Sequence, residues 1–257
     1  MRTKKQKLSD VYNYALSSAN GLEKEELTFE DQSSARCDYL VVSDGIFSST
    51  KSLILNGDIK PKYFKSIAIR GTINKEDLNS IDCSNISLFL GSNFHSVIYP
   101  LSKDSTLNFI GILRKNLSED KLDNHSLFDN KEFVSSIISD LSTQIDQNIL
   151  KNLKDIKCFP IFTSKEIYDP KQNNIFIIGD AFFAFPPTFA QGASQSIEAA
   201  FELYKNFQNG SNEFTNQRIE RTKMINKRSK FNHFAFHLSN PFMIFVRDLS
   251  MKYLIKK

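Results

Sequence analysis

Residues 175–200, IFIIGDAFFAFPPTFAQGASQSIEAA, constrain the fold more than any other stretch of this chain. Four consecutive apolar residues at 175–178 read as a strand buried on both faces, as strands of parallel sheets are. The strand ends on Gly179-Asp180, a double proline follows at 186–187, and a second turn at 190–194 opens a segment with helical periodicity. A strand, a tight turn and a helix in that order specify an α/β layer.

Open α/β sheets bind their ligands beyond the carboxyl ends of the strands. Asp180 sits at that edge, and Gly179 allows a ligand or a neighbouring chain to come close. A carboxylate there accepts hydrogen bonds from ligand hydroxyls, or it caps a helix or turn; the residues alone leave both readings open. Pro186-Pro187 forms a stiff wall poor in donors. The helix that starts after Gln191 presents backbone N–H groups and the positive end of its dipole, which favour an anionic ligand atom.

Composition narrows the function classes. The chain has 257 residues, enough for one large or two small domains, with 33 basic and 29 acidic residues dispersed along it for a net charge of +4. No polyanionic partner is demanded, so no nucleic-acid role is expected. The stretch holding Arg218, Arg221, Lys223, Lys227, Arg228 and Lys230 reads as a solvated helix face. Cys37, Cys83 and Cys158 lie far apart, the usage of a reducing compartment rather than of a disulfide or zinc framework. His233 and His237 have helical ligand spacing, but two ligands do not close a metal site. No apolar run approaches the roughly 18 residues that span a bilayer, and no apolar segment follows the basic start as in a secretory signal. A cytoplasmic protein is expected.

Along the chain, residues 10–19 suggest a short helix, and 37–42 (CDYLVV) a buried strand closing on Ser43-Asp44-Gly45. Residues 66–70, 86–91, 96–99, 107–113 and 157–162 read as strands, and 133–150 as one helix. Pro241 interrupts a helical tail. Residues 242–257 mix apolar and basic side chains, which suits either packing on the core or peripheral membrane contact.

In order and spacing, Gly179-Asp180-Ala181, Pro187, Gln191-Gly192 and Glu198 resemble the second FAD motif of the group A flavoprotein aromatic hydroxylases. Asp44-Gly45-Ile46-Phe47-Ser48, followed by the basic Lys51, is similar to that family's internal Asp-Gly motif. Residues 96–101 and 107–109 look like its Tyr-Pro strand pair, and Phe236-His237-Leu238 with Pro241 and Arg247-Asp248 like its closing helix. The resemblance covers roughly residues 22–250. It implies FAD as cofactor, NAD(P)H as co-substrate, and a small aromatic or quinone-like substrate. It assigns Asp180 to the ribityl chain, Gly192 and Ala193 to the pyrimidine edge, Pro187 to the reactive side of the ring, and Asp44 with Gly45 to a motif linked to both nucleotides. The flavin would lie between the turn at position 180 and the mouth of the helix after Gln191. Because the flavin carries the oxygen insertion, no catalytic side chain is expected. The chain departs from the family at Phe183, Ala190, Ser194 and Ala199, where His, Gly, Asn and Asp are usual.

The family begins with a strand, a GxGxxG turn and a helix that hold the pyrophosphate. No two of the nine glycines here are closer than 12 positions (45 to 57), so that turn is absent from these residues. The expected architecture is α/β: an incomplete Rossmann-like FAD/NAD(P)-binding domain over residues 1–60 and 166–257, the latter with a helical end. A mainly antiparallel substrate domain is inserted over 61–165. The expected function is an FAD-dependent monooxygenase in truncated or split form, completed by an N-terminal FAD-binding chain. A non-catalytic fragment and a flavin-free or membrane-surface binding module are the alternatives.

Overall fold

The computed structural model describes residues 14–15, 25–28, 31–78, 84–101, 105–142 and 145–255. The chain divides into two compact units, Met1–Lys62 with Phe162–Ser229 and Tyr63–Ile161 with Lys230–Lys257.

The first unit contains β1 (Tyr14–Ala15), β2 (Glu25–Thr28) and β3 (Ser34–Cys37), a small antiparallel sheet. Tyr14 and Ala15 thus pair as a strand with Leu27 and Glu26 where a helix was expected; the rest of that expected helix lies outside the described residues. After β3 come β4 (Leu40–Val42) and α1 (Ser49–Ile54). The expected strand over 37–42 is therefore split, Cys37 ending β3 and Leu40 starting β4. β4 pairs in parallel with β10 (Ile175–Ile177), and α5 (Gly179–Phe182), α6 (Gly192–Asn209) and the start of α7 (Phe214–Phe236) follow. Ile175, Phe176 and Ile177 are all buried, as the unbroken apolar run requires, and Val42, Ile54, Ala181 and Phe182 pack with Ile175 and Ile177.

The second unit is built on a five-stranded sheet in the order β6-β7-β8-β5-β9, from β5 (Lys62–Asn74), β6 (Ser87–Leu90), β7 (Phe94–Pro100), β8 (Thr106–Arg114) and β9 (Lys154–Thr163). The β6–β7, β7–β8 and β8–β5 pairs are antiparallel. In β5 the period-2 pattern puts Ile67, Ile69 and Ile73 on the covered face, with no exposure at all. Between β8 and β9 lie α2 (Glu119–Asp123), α3 (Lys131–Leu141) and α4 (Gln147–Lys151). Ile137, Leu141 and Ile149 from α3 and α4 close the core over the sheet. The single helix expected over 133–150 is interrupted because the Asp146 carboxylate accepts the Asn148 N–H at 2.8 Å and starts α4 as a new helix. Pro241 opens α8 (Pro241–Ile255) as its first residue, where its missing N–H costs nothing, and Asn240 Oδ1 accepts from Phe242 and Met243 N–H. No helix among the described residues is long and apolar enough to cross a membrane.

Candidate cofactor site

The register of the parallel pair, Leu40 with Ile175 through Val42 with Ile177, sends the chain out of both strands at one edge. Asp44-Gly45 and Gly179-Asp180 consequently leave the sheet side by side, although 134 positions separate Gly45 from Gly179. Both glycines occupy the left-handed region, with φ +86° and +62°. A Cβ on Gly179 would also stand 3.1 Å from Ser196 Oγ, so glycine here admits α6 against the turn.

Asp44 Oδ2 accepts the Thr50 N–H at 3.2 Å, and Ser48 Oγ accepts the Lys51 N–H at 2.9 Å, so the Asp-Gly motif caps α1 with two side chains. Asp44 Oδ1 is buried with no partner. Lys51, itself buried, turns its ammonium to the Ala181 carbonyl at 2.9 Å. Burial pushes the Lys51 pKa below the ordinary lysine value, and the charge of Asp44 opposes that shift. The first motif is thereby tied to the turn that carries the second.

Beyond α5, Ser164 and Ala184 exchange two hydrogen bonds: the Ser164 N–H donates to the Ala184 carbonyl at 3.1 Å, and the Ala184 N–H to Ser164 Oγ at 2.9 Å. Pro187 begins a 3-10 turn (Pro187–Phe189) anchored by Thr188, whose hydroxyl donates to the Ser229 carbonyl at 2.7 Å. Ala190 ends that turn at φ +50°, ψ +33°, and Gln191 is the residue preceding α6. No side chain caps α6 and no acidic residue lies in its first turn. The N–H groups of Gly192 and Ala193 are therefore available to a ligand, and a Cβ on Gly192 would meet nothing within 4 Å.

Asp180 is exposed and forms no hydrogen bond or ion pair with another described residue; crowding by neighbouring atoms lifts its carboxyl above the ordinary aspartate value. The interior between α5 and α6 is closed. Phe182, Phe183 and Phe185 fill it, leaving a cavity of about 10 Å³ beside Gly179, Gly192 and Gln195, room for a single water. Asp180, Pro187 and Ala193 are all exposed, so the outer side of this edge is the one open to a ligand.

Arg218, read from sequence as part of a solvated face, is 3 % exposed. Its guanidinium reaches Glu202 Oε2 at 3.0 Å and Gln195 Oε1 at 3.0 Å, and Arg221 Nε reaches Glu198 Oε1 at 2.8 Å. The Arg221 hydrogen bond is the main cause holding the Glu198 carboxyl below its usual range. This network clamps α7 to the first turns of α6. The buried positions of α7 are Arg218, Thr222, Ile225 and Ser229 along with Phe214, and three of the first four are polar, so no apolar periodicity in the sequence marked this face. His233 and His237 meet a third histidine, His95, within the second unit, and His95 Nδ1 lies 3.1 Å from His237 Nε2. Among the described residues no group of three or more His, Cys, Asp or Glu is arranged to hold a metal. Cys83 lies outside the described residues.

Set beside known proteins, residues 23–219 match the FAD binding domain family. Salicylate hydroxylase of Pseudomonas putida is 23 % identical over 198 residues, 69 % of this chain and 44 % of the relative. The 3-amino-4-hydroxybenzoate 2-monooxygenase PtnB3 of Streptomyces platensis is 21 % identical over 233 residues, 88 % of this chain and 58 % of the relative. The chain thus spans about half the length of these curated relatives. Among solved structures, a salicylate hydroxylase substrate complex superposes with a TM-score of 0.72 at 16 % identity, covering 96 % of this chain and 67 % of the other. Klebsiella pneumoniae HpxO complexed with FAD and uric acid gives 0.68 at 18 % identity, covering 89 % and 59 %. At such identities the superpositions establish the fold.

Proposed function

The chain belongs to the FAD binding domain family, and from that premise we propose that it forms part of an FAD-dependent monooxygenase that uses NAD(P)H and O2 to hydroxylate a small aromatic or quinone-precursor compound. One observation carries the reading: two glycine-acid turns leave one edge of a parallel strand pair, beside a helix whose N-terminus has no cap. Asp180 holds the ribityl hydroxyls. Gly192 and Ala193 donate N–H groups to the pyrimidine edge, with Gln191 setting the helix entry, and Pro187 lines the ring. Asp44 with Gly45 supports the same cofactor from the first turn, its unpartnered Oδ1 ready for a donor. FAD, when bound, supplies the redox chemistry with NAD(P)H and O2; the protein orients the substrate and excludes water. The ring substrates named for the relatives favour an aromatic compound here.

These 257 residues hold no GxGxxG, so we propose that the pyrophosphate is cradled by an N-terminal FAD-binding unit outside them. The isolated chain therefore binds FAD weakly. Titration of the isolated chain with FAD, followed by flavin fluorescence, tests this: weak binding abolished by Asp180→Ala supports the site, and binding indifferent to Asp180→Ala removes it. A second reading, peripheral membrane contact, is favoured by Phe242, Phe245, Leu249 and Tyr253, which lie exposed along one face of α8. Failure to sediment with anionic vesicles would eliminate it. The scattered cysteines suit a cytoplasmic location.

A further inference from the structure

We propose that one buried water molecule is a fixed component of this chain, held between α6 and α7 by Arg218 Nε–H and the Thr222 hydroxyl. It ties the Gly179 turn and the first turn of α6 to α7 at a set spacing. The role in spacing rests on the flavin reading; the water site itself does not.

A guanidinium carries five N–H donors, and on Arg218 four of them are placed. Nη1 reaches Glu198 Oε1 at 3.3 Å and Glu202 Oε2 at 3.0 Å. Nη2 reaches the Gln195 carbonyl at 3.4 Å and Gln195 Oε1 at 3.0 Å. Nε–H is buried and has no acceptor among the described residues. One turn further along the same face of α7, Thr222 is 1 % exposed, and its Oγ1 is likewise without a partner. A buried donor of a charged group is costly to leave unpaired, and two such atoms side by side point to a ligand. Both residues line the cavity of about 10 Å³ behind the Gly179 turn.

Volume and charge select the occupant. A cavity of that size takes one water and nothing larger. Glu198 and Glu202 already bring two carboxylates to the guanidinium, so a further anion is disfavoured. Water is neutral, accepts from Nε–H and donates in return. Two acceptors stand in the lining: Thr222 Oγ1, and Ser196 Oγ, which gives its own proton to the Gly192 carbonyl at 3.1 Å and keeps a lone pair. Three polar partners are typical of an internal water. Ala199, one of this chain's departures from the family, contributes only a methyl group to the lining and so leaves the room. Gly179 and Gly192 line the same cavity. They adjoin Asp180 and the first N–H groups of α6, which are the groups proposed to hold the flavin. Thr222 is therefore a positioning residue that acts through the water on their spacing.

The test uses the intact chain, with Thr222→Val to remove the hydroxyl at similar shape and Thr222→Ser to keep it. Oxygen-17 magnetic relaxation dispersion counts internal waters that exchange more slowly than the protein tumbles. Its amplitude should fall by one water in Thr222→Val and stay unchanged in Thr222→Ser. A crystal structure of the parent chain should show a water within hydrogen-bond distance of both Arg218 Nε and Thr222 Oγ1. Equal amplitudes in all three chains, or a parent structure without that water, would overturn the proposal; should Thr222→Val fail to fold, the parent crystal structure decides alone. Flavin titration is a separate arm. FAD binding roughly five-fold weaker in Thr222→Val, the worth of one hydrogen bond, and restored in Thr222→Ser supports the positioning role, whereas equal affinity overturns it. A parent chain that holds the water and binds no FAD would sink the cofactor reading and leave the water site standing.

Discussion

Lys51 donates its ammonium to the carbonyl of Ala181 at 2.9 Å, joining two segments 130 positions apart. Removing a buried lysine relieves a burial penalty, but it also strands the Ala181 carbonyl and takes away a positive charge that interacts with Asp44. A hydrogen bond to a charged group contributes about 1.5–3 kcal/mol, more than the relief expected from a cation that already has an acceptor and a counter-charge. Lys51→Met, which keeps the stem, should therefore lower stability by about 1–2 kcal/mol in urea denaturation. A variant as stable as the parent would show that the ammonium is a burden rather than a tie.

Much of this site could be read from the sequence because its rules are local. The apolar run 175–178 announced a buried strand, and glycine at 45 and 179 marked the two turns that need positive φ. The pairing of β4 with β10 was not legible, since nothing local to either strand names its partner. Arg218 was misread for a related reason: its burial depends on Glu202 and Gln195 of another helix, whereas the other basic residues of its stretch, Arg221, Lys223, Lys227, Arg228 and Lys230, are exposed. The packing of Phe182, Phe183 and Phe185 behind the turn was not legible either, because side-chain volume in a fold is not visible in motif spacing.

Ala190 sits at φ +50°, a conformation that costs a residue with a Cβ about 1–2 kcal/mol. Glycine removes that strain but loses more chain entropy on folding, about 0.5–1 kcal/mol. Ala190→Gly should leave a net stabilisation of about 0.5–1 kcal/mol. Gly179→Ala should go the other way by about 1–2 kcal/mol, because its left-handed φ adds to the 3.1 Å approach of Ser196 Oγ. Chemical denaturation of both variants checks the opposite signs. A destabilised Ala190→Gly would mean that the turn relaxes in solution.

His237 Nδ1 lies 2.8 Å from the His233 carbonyl, so it carries a proton, and Nε2 accepts from His95 Nδ1–H at 3.1 Å. Arg114 Nε donates to His233 Nε2 at 3.4 Å. Burial first, and then the neighbouring histidines, push His95 down to about 3; burial, His237 and Arg114 do the same to His233. His237 is also lowered, chiefly by burial. A histidine whose folded pKa is depressed stabilises the fold above its unfolded value near about 6.5. That stability is lost as pH falls toward 3, because the unfolded chain takes up the proton first. The slope is up to about 1.4 kcal/mol per pH unit for each histidine. Urea midpoints should fall steadily between pH 7 and 5, and less steeply in His95→Gln. A flat profile would rule out neutral buried imidazoles.

At Asp180 the proposed flavin contact and stability pull in opposite directions. Its carboxyl pKa is raised by desolvation, so the folded state holds its proton to higher pH than the unfolded chain does. The sign is opposite to that of the histidines: in the window just above the ordinary aspartate value, stability falls as pH rises. Replacing the charge by an amide of the same shape removes that penalty. Asp180→Asn should raise stability at neutral pH, by less than about 1 kcal/mol because solvent screens the exposed carboxylate. The same substitution takes away the acceptor proposed for the ribityl hydroxyls, so FAD affinity should drop by at least ten-fold, about 1.4 kcal/mol. Thermal unfolding and flavin titration of the one variant read both effects. Loss of stability together with loss of flavin would show that Asp180 is a cap of the α5 turn rather than a ligand-binding group.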